Sequence, residues 1–435
     1  MFRKRVQLGL IHVAVAMTLV PINSTLNRVM IKELALSATL VAVLASLPYL
    51  FSPIQMLIGS FSDRNPLLGF RRSPYIILGL ALCVSGVIVA PQAAFLMSEN
   101  WWAGVALGVI TFGAWGMGYN FASVSYLSLA SELSGEKGRS RTISVMFFMM
   151  ILGIILTSIG LSRLLEQFSP QVLERSFITV ALVALALGLL GLVGLEPRSV
   201  KSSQPAEERV SIGSQFRFIF QNRQVALFFV YLVILLIAIL GQDILLEPYA
   251  AEAFAMSVQE TTRITAIWGV CFLVSLIAAG VSEGRVPKRV IARIGAWGAL
   301  FAFVLIAGSA LVTSLAVFYI GVVLLGLSTG LATVSNLSLM LDMTIPGRVG
   351  VFIGIWGMAN AFSRLFGNVI SGAVRDLVTL FAQNPVLGYV VVFVIEALLI
   401  GISLAMLGSI DVTAFREQVD EQPTLIERAA IANEM

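Results

Sequence analysis

The sequence predicts an all-α membrane protein, with twelve transmembrane helices arranged as two pseudo-symmetric six-helix bundles. Three observations carry this prediction. Only 12% of the 435 residues are charged and 58% are hydrophobic, with a mean hydropathy of +0.94; a soluble domain has about 25% charged residues. Apolar stretches of spanning length, near the ~20 residues that cross a bilayer core as a helix, recur along the whole chain. The two sets of six also share an internal repeat.

In chain order the spans fall at 6–30, 36–61, 74–97, 101–131, 140–165 and 175–195, then 225–250, 260–281, 290–312, 315–341, 349–373 and 388–409. Arg3-Lys4-Arg5 before the first resembles a signal-peptide start. The apolar run passes into Asn23 and Arg28 without a small-residue cleavage site, so it reads as an uncleaved span. Trp101-Trp102 opens the fourth span as an interfacial belt. Gly104/Gly108 and Gly350/Gly354 are small-residue pairs that let helices approach closely. The organisation is then an N-terminal bundle (1–195), a polar linker (196–224), a C-terminal bundle (225–410) and an acidic tail (411–435). Ile212 to Phe220 in the linker reads as an amphipathic helix lying on the bilayer surface.

Placing both termini in the cytoplasm puts 21 of the 28 Lys and Arg on that side, as the positive-inside rule requires. The net charge of +4 therefore comes from short loops and is no nucleic-acid signal. Cys83 and Cys271 sit inside apolar spans and are expected to be buried, reduced thiols.

The repeat joins Val124–Glu132 of span four to Val334–Asp342 of span ten, an offset of 210. Gly138-Arg139 follows the first copy and Gly347-Arg348 the second. Gly59-Ser-Phe-Ser-Asp63-Arg64 after span two has a degraded echo in Gly280–Arg285, and the register also aligns Asn23 with Asp243. Repeats of this kind over six plus six spans mark a transporter-type fold with a central cavity.

Gly241–Tyr249 holds the most unusual residues. Asp243 and Glu247 follow an almost unbroken apolar run, four residues apart and so on one helix face, with Pro248 loosening the helix one residue later. Carboxylates inside a span normally face a bundle interior and mark function. Span one offers Asn23, Asn27 and Arg28 at similar depth, and span eleven offers Arg364 and Asn368. Two readings stand: a polar cargo site in which Arg28 balances a carboxylate such as Glu247, or an interbundle lock holding the outer side shut. At the cytoplasmic end, Gly59, Asp63, Arg64, Arg71 and Arg72 read as a gate of salt bridges biasing one conformation, or as topology determinants. Glu132 with Arg139 or Arg141, and Asp342 with Arg348, would be equivalent latches. His12, the only histidine, is either a candidate ligand for a magnesium ion or hydrogen-bonded to a neighbour. Phe112, Trp115 and Tyr119 either stack a flat macrocycle or pack the core. No two of the six Asp lie close enough to hold a magnesium diphosphate, and no phosphate loop or Cys/His metal cluster is present, so the sequence argues against an enzyme.

Gly59-x-x-x-Asp63-Arg64 followed by Gly69-x-Arg71-Arg72 resembles the cytoplasmic loop motif of the major facilitator superfamily, with a longer spacer. Leu26–Ile31, Asp243–Tyr249, Met256-Ser-Val258, Thr261–Gly269 and the segment ending at Thr344 resemble the PucC-like, or bacteriochlorophyll-delivery, family, over about 6–410. The resemblance implies a multi-pass protein of the bacterial inner membrane or cyanobacterial thylakoid. It also implies assistance to the assembly of antenna or photosystem subunits, with chlorophyll or bacteriochlorophyll as cargo. The alternative is a proton-coupled secondary transporter of a small solute.

Overall fold

The computed structural model describes residues 2–198, 223–282, 285–342 and 349–410, and these are helical almost throughout. Among them, eleven helices are long and apolar enough to cross a membrane. The remaining crossing, span two, runs as Ala38–Ala45, Leu47–Leu50, Ser52–Ile54 and Gln55–Arg64. Pro48 and Pro53 each remove a backbone donor and crowd the preceding turn, which segments the helix. At ~1.5 Å per residue the stretch still rises about 40 Å, enough for a crossing.

Spans one and seven break at matching heights. Span one is α-helical from Phe2 to Met17 and then forms π-helical turns at Pro21–Leu26 and Val29–Glu33. Thr18 marks the transition: its hydroxyl donates to the Val15 carbonyl (2.7 Å) and receives the Trp115 indole N–H (3.2 Å). Span seven is α-helical over Arg223–Gly241, 3₁₀ over Gln242–Ile244 and α-helical again over Leu246–Phe254. The break lies one turn before Pro248, not at Pro248 itself. Proline has no N–H for the Ile244 carbonyl and its ring crowds that carbonyl. The two irregular turns pack against each other.

The sequence repeat is also a packing repeat. A Cβ on Gly79 of span three (Ser73–Glu99) would lie 2.5 Å from Ala122 N and 2.7 Å from Gly118 O. A Cβ on Gly295 of span nine (Lys288–Leu311) would lie 2.9 Å from Ala332 N and 3.1 Å from Ser328 O. Ala122 and Ala332, like Gly118 and Ser328, are related by the same offset of 210. Span four ends at Gly135, whose φ of +61° turns the chain into span five, Arg141–Leu164. Between the halves, span eight (Val258–Val281) packs on the helices of 101–164, and span eleven packs on span two.

Some expectations change. Span eleven continues to Ala382, nine residues beyond 373, because Asp376 is satisfied by partners on span two. Gly104 and Gly108 do pack closely, on Met97, whereas Gly354 is exposed. Both cysteines are free, Cys83 buried and Cys271 only partly so. The linker helix at 212–220, Arg348 and the acidic tail lie outside the described residues.

Candidate functional site

The central site is assembled where the broken spans meet span eleven. Arg364 forms an ion pair with Asp243, and its guanidinium lies 5.6 Å from the Tyr49 ring centroid. Gln242 Nε2 donates to Asp243 Oδ1 at 3.1 Å. The pair is not sealed: 24% of the Asp243 side chain and 32% of Arg364 remain accessible. Tyr119 of span four reaches the same electrostatic neighbourhood, and Gln55 Nε2 donates to Asn120 Oδ1 (2.5 Å) nearby on spans two and four.

Asp243 and Glu247 do not act as one face of a continuous helix. The 3₁₀ turn between them aims Asp243 at span eleven and leaves Glu247 facing spans eight and one. Glu247 Oε1 lies 2.6 Å from Thr265 Oγ1, which is 3.0 Å from Ser24 Oγ. Nor does Arg28 balance Glu247. It pairs with Glu33 and donates to the Met256 carbonyl at 3.1 Å. The π-helical turn explains this, since i→i+5 winding brings residue 33 over residue 28. Asn23 is half-buried and its backbone carbonyl accepts from Asn27 Nδ2 (2.9 Å), while Asn368 Nδ2 donates to Ser46 Oγ across the halves (3.2 Å).

Polar contacts joining the halves gather at the end opposite the basic loops. Thr25 meets Thr262 at 3.1 Å, Ser158 and Ser162 donate to the carbonyls of Thr262 and Gln259, and Lys32 pairs with Glu252 at 2.6 Å. The densest is Asp376 of span eleven, at the start of span two. It accepts from Ser37 Oγ (2.8 Å), Ala38 N (3.1 Å), Thr39 N (2.8 Å) and Thr39 Oγ1 (2.7 Å). Ser37 itself caps Leu40 N, so one helix N-terminus is satisfied by both halves.

At the basic end the ion pairs found among the described residues each lie within a half. Arg72 is buried and donates to Asp63 (2.5 Å), Glu132 (2.9 and 3.0 Å) and Ser62 Oγ (2.6 Å), while Arg71 reaches Glu132 at 3.3 Å. In the second half Lys288 holds Asp342 at 2.8 and 2.9 Å. The two latches are therefore equivalent, but the base comes from the start of the preceding span. Glu132 takes Arg71 and Arg72 rather than Arg139 or Arg141, because Gly135 turns the chain away while span three packs alongside. Arg64 and Arg139 are exposed, and Gly59 lets span two approach Val124.

His12 is buried between the Tyr126 and Phe147 rings (4.9 and 5.1 Å), with Nδ1 buried and unpartnered. Phe112 and Trp115 are fully buried core residues, and of that trio only Tyr119 is partly accessible.

The sequence reading missed three carboxylates. Glu196, at the end of span six, accepts the backbone N–H groups of Arg71, Arg72 and Ser73. Asp376 closes the far end. Glu396 is a buried acid within span twelve, Pro385–Gly408. The last was readable as the only charge in its span. The other two depend on partners from distant helices.

A family model described as PUCC protein matches residues 25–415. The chain belongs to the PucC family. Protein PucC of Cereibacter sphaeroides is 31% identical over 412 residues, covering 91% of this chain and 89% of that protein. A Rhodobacter capsulatus protein described as an uncharacterized protein in the puhA-bchM intergenic region is 30% identical over 423 residues, covering 93% and 88%. Another from that species, named bacteriochlorophyll synthase 44.5 kDa chain, is 28% identical, covering 92% and 93%. Among solved structures, a point mutant of the nucleoside transporter NupG aligns with a TM-score of 0.75 at 16% identity, covering 94% of this chain and 99% of that one. A bacterial homologue of the lysosomal transporter Spinster, inward-facing and unoccupied, gives 0.72 at 13%, covering 97% and 98%. The PucC-family chain is thus a multi-pass integral membrane protein with the major facilitator fold.

Proposed function

We propose that this PucC-family protein assists the assembly of light-harvesting or other chlorophyll-binding complexes, and that it holds chlorophyll or bacteriochlorophyll between its two halves. It is not an enzyme in this reading. It lies in a bacterial inner membrane or thylakoid with both termini cytoplasmic, and its partners are antenna or photosystem subunits.

The observation that carries the pigment reading is the make-up of the centre: an accessible Arg364–Asp243 pair against Tyr49, beside Tyr119, among otherwise apolar faces. A flat macrocycle with a hydrocarbon tail asks for that mixture. Contacts between the halves close the far end, and in this reading the pair is reached from the basic, cytoplasmic end. The names of the relatives, two of which refer to bacteriochlorophyll or to a bch gene, agree with the process. The second reading, a proton-coupled transporter of a small solute, is favoured by the carboxylates beside the irregular turns and by the fold shared with transporters.

Gentle detergent extraction from pigment-replete membranes, with an absorption spectrum and identification of attached polypeptides, tests the proposal. Expected are pigment bands and photosynthetic subunits, with pigment lost in Tyr119→Ala or Arg364→Met. A colourless protein with its client attached overturns pigment handling. Ion-driven solute uptake into vesicles without clients would favour the transporter.

A further inference from the structure

Glu396 is 2% exposed at the middle of span twelve and stands in no ion pair among the described residues. One oxygen, Oε1, lies 3.3 Å from Ser371 Oγ, and the other, Oε2, is buried with no hydrogen-bond partner. Gly241, the last α-helical residue before the span-seven break, presses on this pair. A Cβ there would lie 2.9 Å from Ser371 Oγ and 3.0 Å from Glu396 Oε1. Further unpartnered polar atoms lie on the adjoining turns of spans seven and eleven. Gln242 Oε1 and Asn368 Oδ1 are buried and unpartnered, and the carbonyls ending Arg223–Gly241 form the negative end of a helix dipole.

The charged groups facing this node do not supply a cation. From span seven comes Asp243, of the same sign. Arg364 of span eleven is taken by Asp243, and Arg375 lies at the far end, over Tyr389 and paired with Asp376. Glu247, past the break, is engaged by Thr265. Span nine carries no charged residue from 294 to 311, and span twelve carries only Glu396. The centre therefore holds one balanced pair and two buried carboxylates without a cation among the described residues: Glu247, which Thr265 engages, and Glu396, one oxygen of which has no partner. Burying such a charge alone costs several kcal/mol.

We propose that Glu396 and Ser371, together with the broken end of span seven, form a buried site for a single positive charge, taken up as H⁺ or Na⁺. Loading it neutralises the like charge facing Asp243. By reciprocity, movement of the Asp243–Arg364 pair alters cation affinity. The site thus couples an ion to the centre whatever the cargo. It does not depend on pigment handling, because it is tested on full-length purified protein with neither pigment nor client.

The protein is reconstituted in nanodiscs. Thermal unfolding is followed while Na⁺ replaces choline at fixed ionic strength, and infrared difference spectra are taken between acid and alkaline buffers. If the ion is Na⁺, Tm rises with Na⁺ in the wild type and Glu396→Gln abolishes the response. If it is H⁺, Tm is indifferent to Na⁺, and a titrating protonated-carboxyl band appears that Glu396→Gln removes. Ser371→Ala shifts the ion's affinity by about tenfold, the scale of one hydrogen bond to a charged group: weaker for Na⁺, which loses a ligand oxygen, and tighter for H⁺, because the carboxylate loses the hydroxyl that donates to it. Gly241→Ala shifts the same midpoint by pushing a methyl into the pair. Should Glu396→Gln fail to fold, these two variants decide the matter. The proposal is overturned if neither a Na⁺ response nor a carboxyl band depends on Glu396, or if the Ser371 and Gly241 variants leave the midpoint unmoved.

Discussion

Asp376→Ala should open the end of the molecule that carries residues 33–39. The start of span two presents three unpaired N–H groups: Leu40 is satisfied by Ser37, and Ala38 and Thr39 by the Asp376 carboxylate alone. Removing a capping oxygen costs about 0.5–2 kcal/mol, and removing an anion from a helix N-terminus about 0.3–1 kcal/mol. When the halves separate these donors meet water, so the loss falls mainly on the closed state. The net shift should be about 1–3 kcal/mol, or 5–150-fold in the closed-to-open ratio. Asp376→Asn keeps one acceptor oxygen and should produce a smaller shift. Spin-label distances between the starts of span two and the ends of span eleven report it, as a growing long-distance population. If the distributions stay superimposable on wild type in Asp376→Ala, the carboxylate is a local cap and the closure rests on the other contacts.

Three further outcomes follow from the same contacts. Arg72→Ala should destabilise the first half by about 1.5–3 kcal/mol through the lost charged hydrogen bonds, while Asp63→Asn, removing a half-exposed partner, should cost about 0–1 kcal/mol; Tm values give both. Because this network does not cross between the halves, neither variant should change label distances at the far end. A double-mutant cycle on Arg28 and Glu33 should show coupling, whereas Arg28 with Glu247 should add within about 0.5 kcal/mol, as sites without a shared partner do. Gly79→Ala should lower stability by about 1–3 kcal/mol through overpacking, and Gly295→Ala by less, because the backbone lies 2.9 Å rather than 2.5 Å from the added atom; denaturation in detergent would rank them.

Most of the fold was legible because membrane spans announce themselves locally. Twenty apolar residues between charged loops need no partner to be recognised, and the Val124–Glu132 repeat disclosed the pseudo-symmetry in one dimension. Where span two is segmented, Pro48 and Pro53 were visible too, although a proline shows where a helix is weakened and not how it repairs itself. The same limit applied at Pro248. Its effect falls on the carbonyl four residues earlier, so Asp243 and Glu247 sit on opposite sides of a break.

The candidate site was legible as a set of residues but not as a set of pairs. Intramembrane charge singled out Arg28, Asp243, Glu247 and Arg364, and all four are held by specific partners. Which charge meets which depends on winding and crossing that the pattern does not encode. A π-turn gives Arg28 to Glu33, and a crossing helix gives Arg364 to Asp243. The first loop latch went astray for a related reason: Glu132 was paired forward in sequence, yet takes its bases from the start of the span before, as Asp342 takes Lys288; Arg348, the forward partner expected for Asp342, lies outside the described residues. That the two halves share this backward pairing has a physical source. Each carboxylate ends a span whose antiparallel predecessor begins at the same membrane face, so the cation at the start of that predecessor lies within reach. Pseudo-symmetry thus repeats the correct pairing as faithfully as the sequence. Asp376 stands opposite Glu166 at the offset of 210, but Glu166 is exposed whereas Asp376 closes the far end; Glu396 stands opposite Ala186, and it is this carboxylate, buried behind the broken seventh span, that has no acidic counterpart in the first half.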